Sequence, residues 1–152
     1  MKKQKIFMGT DHAGFELKEE VKKYLLKMGF KIEDFGAYSL DNDDDYPDFI
    51  APVAKNVAKD KNSIGIILGG SGQGEAIAAN KVKGIRAAVY YGGNPEIVKL
   101  SRAHNDSNIL SLGARFLTTG EAIKAVKIWL ETDFSNEKRH KRRLNKIARI
   151  MQ

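Results

Sequence analysis

Ile64-Gly65-Ile66-Ile67-Leu68-Gly69-Gly70-Ser71-Gly72-Gln73-Gly74-Glu75-Ala76-Ile77-Ala78-Ala79 runs from an unbroken apolar segment, through four glycines in six residues, into an alanine-rich stretch. A strand without polar alternation is one buried on both faces, which is the condition of a parallel sheet covered by helices on each side. A strand that empties into a glycine loop and then a helix is half of a βαβ unit. Outward from this segment the alternation repeats. Strands are expected near 5–10, 30–35, 64–69, 86–90 and 108–112. Helical periodicity fills 15–28, 48–59, 75–82 and 95–103 between them, and two further helices, 119–131 and about 135–150, close the chain. Pro47 and Pro95 suit helix starts, with Asp45 or Tyr46 and Asn94 near the caps. The expectation is α/β: a Rossmann-like three-layer sandwich with a five-stranded parallel sheet and an extra C-terminal helix. No linker, repeat or low-complexity tract divides residues 1–152, so one domain is expected.

Composition narrows the chemistry. The chain has no cysteine, which excludes disulfides, thiolate metal sites and a cysteine nucleophile. Met1 to Thr10 holds only a short apolar piece, Ile6-Phe7-Met8, too short for a signal sequence or a membrane span, and a cytoplasmic protein is expected. The net charge of +7 would ordinarily suggest nucleic acid. Its distribution argues otherwise: Lys138, Arg139, Lys141, Arg142, Arg143, Lys146 and Arg149 carry the whole excess, and the rest of the chain balances 19 acidic residues.

In such sheets ligands sit at the carboxyl ends of the strands. The first strand ends in Gly9-Thr10-Asp11-His12-Ala13-Gly14, an acid and an imidazole side by side. Asp11 could simply cap the first helix. Gly9 and Gly14 have P-loop spacing, but Phe15-Glu16 follows where Lys and Ser or Thr are required. In the glycine loop, peptide amides unscreened by side chains at a helix N-terminus make a site for a phosphate or a developing oxyanion. The dinucleotide pattern G-x-G-x-x-G fails there, because Glu75 and Ile77 stand where its third glycine would be. Glu75 could merely complement the helix dipole, or could be the base that removes a proton beside a carbonyl. Arg102-Ala103-His104-Asn105-Asp106 is read as a third rim segment, and Arg115, after the fifth strand, as pointing to the same rim. His104 could equally be a satisfied helix-terminal histidine.

In the tail, Arg139 and Arg143 are four apart and share a helix face, a fork suited to phosphate, while Leu144, Ile147, Ala148 and Met151 form an apolar stripe. Asp41-Asn42-Asp43-Asp44-Asp45 has acids at three calcium-loop positions, but Tyr46 and Pro52 stand where Gly and Glu are needed. It is read as a solvated turn.

Taken together, Asp11-His12-Ala13-Gly14, Asp45-Tyr46-Pro47-Asp48, Gly69 through Glu75, Ala79-Asn80-Lys81, Gly84-Ile85-Arg86-Ala87, His104-Asn105-Asp106, Leu112-Gly113-Ala114-Arg115 and Arg139-His140 with Arg142-Arg143 resemble the type B ribose-5-phosphate isomerases and the related allose and galactose 6-phosphate isomerases, in order and over essentially the whole chain. The resemblance implies an aldose–ketose isomerase working through a cis-enediolate, with no cofactor and no metal. Glu75 would shuttle the proton, the amides of Gly70, Ser71, Gly72, Gln73 and Gly74 would hold the enediolate, and Ser71 would sit against the reacting oxygens. His104 and Asp11 would open the sugar ring, and Asn105 would contact hydroxyls. Arg115, Arg139 and Arg143 would surround the phosphate with His12 close by, and Tyr46 would line the pocket. Many members carry a cysteine where this chain has Gly69 and an apolar residue at 75; this chain resembles the glutamate-dependent branch. Homodimers, or tetramers, with pockets shared between subunits are implied, with a small sugar phosphate as partner and neither nucleic acid nor membrane. Ribose 5-phosphate is the favoured substrate over a hexose 6-phosphate.

Overall fold

A computed structural model describes residues 3–150; Met151, assigned to the apolar stripe of the tail, and Met1, at the start of the lysine-rich N-terminal segment, lie outside them. Five strands, β1 Lys5–Thr10, β2 Ile32–Asp34, β3 Ser63–Gly69, β4 Ala87–Tyr90 and β5 Ile109–Gly113, form one sheet in the order β2-β1-β3-β5-β4, every pair parallel. Six α-helices accompany them: α1 Phe15–Lys27, α2 Pro47–Lys59, α3 Gln73–Asn80, α4 Glu96–Ala103, α5 Thr119–Glu131 and α6 Lys138–Ala148. This is the Rossmann-like arrangement expected from the alternation of segments.

The strand period of two sorts the apolar residues onto two faces. Ile6, Met8, Ile64, Ile66, Leu68, Leu110 and Leu112 join Leu17, Val21 and Leu25 of α1, Val98 of α4 and Ala122, Ala125, Val126 and Trp129 of α5 in one core cluster. Phe7, Ile67 and Ile109 point the other way and pack on Ile50, Val53, Ala54 and Val57 of α2 and Ala79 of α3. That second face is narrow at its centre: a Cβ on Gly9 would stand 2.7 Å from the Phe49 carbonyl oxygen, so α2 lies almost directly on β1. Tyr46 precedes α2 with no side-chain cap, and Pro47 opens the helix. The expected cap before α4 is present, Asn94 Oδ1 accepting from the Glu96 amide at 3.0 Å.

Helix α1 leaves β1 over one face and α3 leaves β3 over the other, while β1 and β3 are neighbours. Adjacent strands whose connections depart to opposite faces leave a crevice at their carboxyl ends, where a ligand can enter. Glu75 and the Asp11-His12 pair flank this crevice. No helix among the described residues is long and apolar enough to cross a membrane.

Candidate active site

The loop after β3 is held from beneath and from both sides. Gly72 has φ +77°, a left-handed backbone that favours glycine, and turns the chain into α3. Buried Ser111 of β5 donates from Oγ to the Gly72 carbonyl at 2.7 Å, the Arg115 amide donates to the Gly70 carbonyl at 3.0 Å, and Ser71 Oγ accepts from the Gln73 amide at 3.2 Å. The Arg115 side chain lies along Gly70, and the Tyr46 hydroxyl would be 2.6 Å from a Cβ on Gly74. Loop carbonyls therefore point into the fold as acceptors, while the amides at the start of α3 have no side chain of Gly72 or Gly74 above them.

Glu75 does not extend to solvent as a residue that only complements the helix dipole would. It is buried, 4% exposed, and turns back onto the end of β3. A Cβ on Gly69 would lie 1.8 Å from its Oε1 and 2.0 Å from its Cδ, so the carboxylate fills the volume that any side chain at 69 would need. Burial pushes the Glu75 carboxyl above its ordinary value, Asp11 adds to the rise, and the amides of Glu75 and Gly72 oppose it. A carboxylate with raised proton affinity beside the peptide amides of a glycine loop can take a proton from a carbon acid while such amides meet the charge that forms on oxygen.

Asp11 caps the short 3-10 turn His12–Gly14, its Oδ1 accepting from the Ala13 amide at 3.0 Å, rather than α1 itself, which starts one turn later with Gly14 at its cap. It is also buried and electrostatically coupled to both Glu75 and His12. His12 in turn is bound by a residue the sequence reading discounted. Asp44 Oδ1 lies 2.6 Å from His12 Nδ1 and accepts from the His12 amide at 3.1 Å. The acidic run is thus not uniformly a solvated turn: Asp41, Asp43 and Asp45 are exposed, but the Asp44 side chain is folded inward. No local signal could have revealed this, because the pairing spans 32 residues and depends on where α2 begins. The donor atoms of Asp11, His12 and Asp44 lie within 4.8 Å of one another, close enough for a metal ion, yet His12 Nδ1 is already engaged by Asp44 Oδ1 and the Arg115 charge acts on the same imidazole.

The second group of sequence candidates lies elsewhere in the chain. Residues 102–106 are not at the rim with Glu75: they end α4 and precede β5, and in a parallel sheet whatever precedes a strand lies at its amino end. His104 terminates α4, and its ring stacks on His140 of α6 with centroids 4.3 Å apart. Asn105 shares a hollow of about 380 Å³ with Ala87, Ala88, Leu144 and Ile147. Arg139 is exposed and bonds Glu137 Oε2 at 2.8 Å, and Arg143 is exposed on the same helix. One chain therefore unites Asp11, His12, Tyr46, the loop 69–75 and Arg115 at the carboxyl rim, and gathers His104, Asn105 and α6, with Arg139 and Arg143, at the amino-terminal edge.

Comparison with known proteins bears on this arrangement. Residues 6–147 match the family described as Ribose/Galactose Isomerase. A ribose-5-phosphate isomerase B of Mycolicibacterium paratuberculosis is 42% identical over 144 residues, 95% of this chain and 89% of that protein. The crystal structure of ribose-5-phosphate isomerase B from Mycoplasma genitalium with bound ribulose-5-phosphate superposes with a TM-score of 0.91 at 39% identity, covering 96% of this chain and 95% of that one. The Clostridium thermocellum ribose-5-phosphate isomerase B gives a TM-score of 0.91 at 43% identity, covering 96% of both chains. With a match over nearly its whole length, a common fold and relatives at this identity, the chain belongs to the ribose/galactose isomerase family.

Proposed function

We propose that the chain interconverts ribose 5-phosphate and ribulose 5-phosphate through a cis-enediolate, with Glu75 carrying the proton between C2 and C1. The observation that carries this reading is the buried Glu75 carboxylate against Gly69, beside the amides that open α3. Starting from the aldose, Glu75 removes the C2 proton, the carbonyl oxygen at C1 becomes an oxyanion near the amides of residues 70–74, and Glu75, its proton open to exchange with solvent, protonates C1 while the O2 hydroxyl proton passes to O1. Ser71, in the same loop, would meet those two oxygens. Burial helps at the base: a carboxyl of raised pKa is the stronger acceptor and is closer in proton affinity to an activated carbon acid. Arg115 and His12 supply positive charge at the same rim for the phosphate. The pentose substrate is supported by the names of the relatives and by the ribulose-5-phosphate in the Mycoplasma genitalium structure.

Ring opening by His104 with Asp11, hydroxyl contacts from Asn105 and phosphate contacts from Arg139 and Arg143 require a second copy, because these groups stand at the opposite edge of their own chain. The β4 edge offers a surface for it. Ala87, Ala88 and Val89 are only partly covered, Ile77 of α3 is 64% exposed, and hollows on this face are lined by Gln73, Ile77 and Asn80 on one side and by Asn105, Leu144 and Ile147 on the other. Two copies meeting there about a two-fold axis bring the His104 edge of each toward the Glu75 rim of its mate.

The decisive experiment is Glu75→Gln assayed in heavy water with ribose, allose and galactose phosphates offered side by side. The variant is expected to fold normally and to turn over about a hundredfold more slowly or worse. Native enzyme is expected to favour the ribose ester, to place deuterium on the product, and to lose kcat/KM on acidification at a pH above that of an ordinary carboxylate, because the base must be ionised. Near-normal turnover by Glu75→Gln would remove the proposed base.

A further inference from the structure

Asp44 has one oxygen that binds His12 twice and another, Oδ2, that is buried without a hydrogen-bond partner among the described residues. Only 9% of its side chain is exposed. A carboxylate so placed needs a countercharge more than a surface acid does, since solvent compensates little of it. The one cation in contact with it among the described residues is the His12 ring, provided that ring is protonated. The geometry also fixes the tautomer. With the Nδ1 proton given to Asp44, a neutral His12 would present a lone pair at Nε2, and only the imidazolium presents a second N–H there. A phosphate oxygen accepts from an N–H and is repelled by a lone pair.

We propose that Asp44 is a positioning residue that keeps His12 in the doubly protonated form and leaves its Nε2–H as the donor to the phosphate group of the substrate. This rests on the phosphate reading of the rim given above. The charged groups facing His12 among the described residues are Asp44 from the segment before α2, Asp11 from the end of β1, and Arg115 from beyond β5. The two acids raise the proton affinity of the imidazole, the hydrogen bond to Asp44 most of all, while burial and Arg115 lower it, and the sum is upward. Asp44 thereby offsets what Arg115 alone would do, which is to discharge the neighbouring histidine. Two cationic groups can then face one anion.

The chain has three histidines, His12, His104 and His140, so each imidazole Cε1–H signal can be followed separately by NMR as pH is varied. Asp44→Asn keeps the oxygen that accepts from the His12 amide and from Nδ1–H but removes the charge. The His12 midpoint is expected to fall by about one unit in this variant, with His140 unmoved. KM for ribose 5-phosphate near pH 7.5 is expected to rise about tenfold, to recover as pH is lowered, and to change more than kcat does. Asp44→Ser serves as a second variant should the first fold poorly, and the His140 signal reports the fold in both. An unchanged His12 midpoint in both variants overturns the proposal, and so does a KM increase that does not recover at lower pH. Inorganic phosphate added to native protein separates the two layers: phosphate should raise the His12 midpoint. If it leaves His12 unaffected, the phosphate reading of the rim falls and this proposal with it. If it raises the midpoint equally in native protein and Asp44→Asn, only the role of Asp44 is lost.

Discussion

A methyl group at position 69 would stand 1.8 Å from Oε1 of Glu75, so the carboxylate keeps its seat only while residue 69 has no side chain. The obstructing atom is the end of a flexible side chain, which can rotate away, whereas the β3 backbone cannot. Gly69→Ala is therefore expected to remain folded while displacing the carboxylate, and to lower kcat more than tenfold with a small change in melting temperature. The matching double variant Gly69→Ala/Glu75→Gln should be no slower than Glu75→Gln alone, because the first change acts only through the second residue. Multiplying defects in that cycle would refute the coupling. At this scale the sequence was legible where neighbours in the chain are neighbours in space. Glu75 stands six residues from Gly69 in one strand–loop–helix unit, and Asp11 caps the turn that follows it, so both could be placed at the crevice. Asp44 could not be, because nothing near Tyr46 in the chain indicates that His12 lies above it.

Elements were legible to within a few residues because each has one period and one clear stop. The β3 segment is buried at every position from Ser63 to Gly69, as its unbroken apolar run implies, and α5 begins at a full capping box between Thr118 and Glu121. The final helix is shorter than its basic run suggested, Lys138–Ala148, since charge fills most of its surface and only His140 is buried. That single anchor has a pH dependence. Burial, then His104, hold the His140 imidazole below its ordinary value, with Arg139 and Arg143 acting in the same direction and Glu137 against them. A histidine whose folded pKa is depressed contributes stability above its unfolded value and loses it as pH falls. Amide exchange across α6, corrected for intrinsic rates, should thus quicken below about pH 6.5 relative to α1. Phenylalanine at position 140 should remove that dependence. Protection of α6 that is flat from pH 8 to 5 in native protein would show that the stacked imidazoles do not hold the helix.

The whole molecule divides its candidate machinery between two edges of one sheet, and its entire charge excess lies in and just beyond α6, on the edge without the base. The topology makes this unavoidable, because residues before β5 cannot reach the end where β3 finishes, and a sequence scan that treats every loop as rim has no means of telling the two ends apart. The consequence is testable without a structure of the assembly. Glu75→Gln damages only the rim of its chain and His104→Asn only the opposite edge, and each is expected to be nearly inactive alone. Co-expressed with different tags and isolated as the mixed dimer, they form one site with the intact rim of one chain and the intact edge of the other, and one site with both defects. Random pairing makes half of all dimers mixed, so an unfractionated sample should recover about a quarter of native turnover, and the purified mixed dimer about half. If rim and edge served the same catalytic site within a single chain, every site in the mixture would carry one defect and nothing would be recovered. A mixed dimer no faster than its parents would therefore refute a site shared between the rim of one chain and the edge of the other.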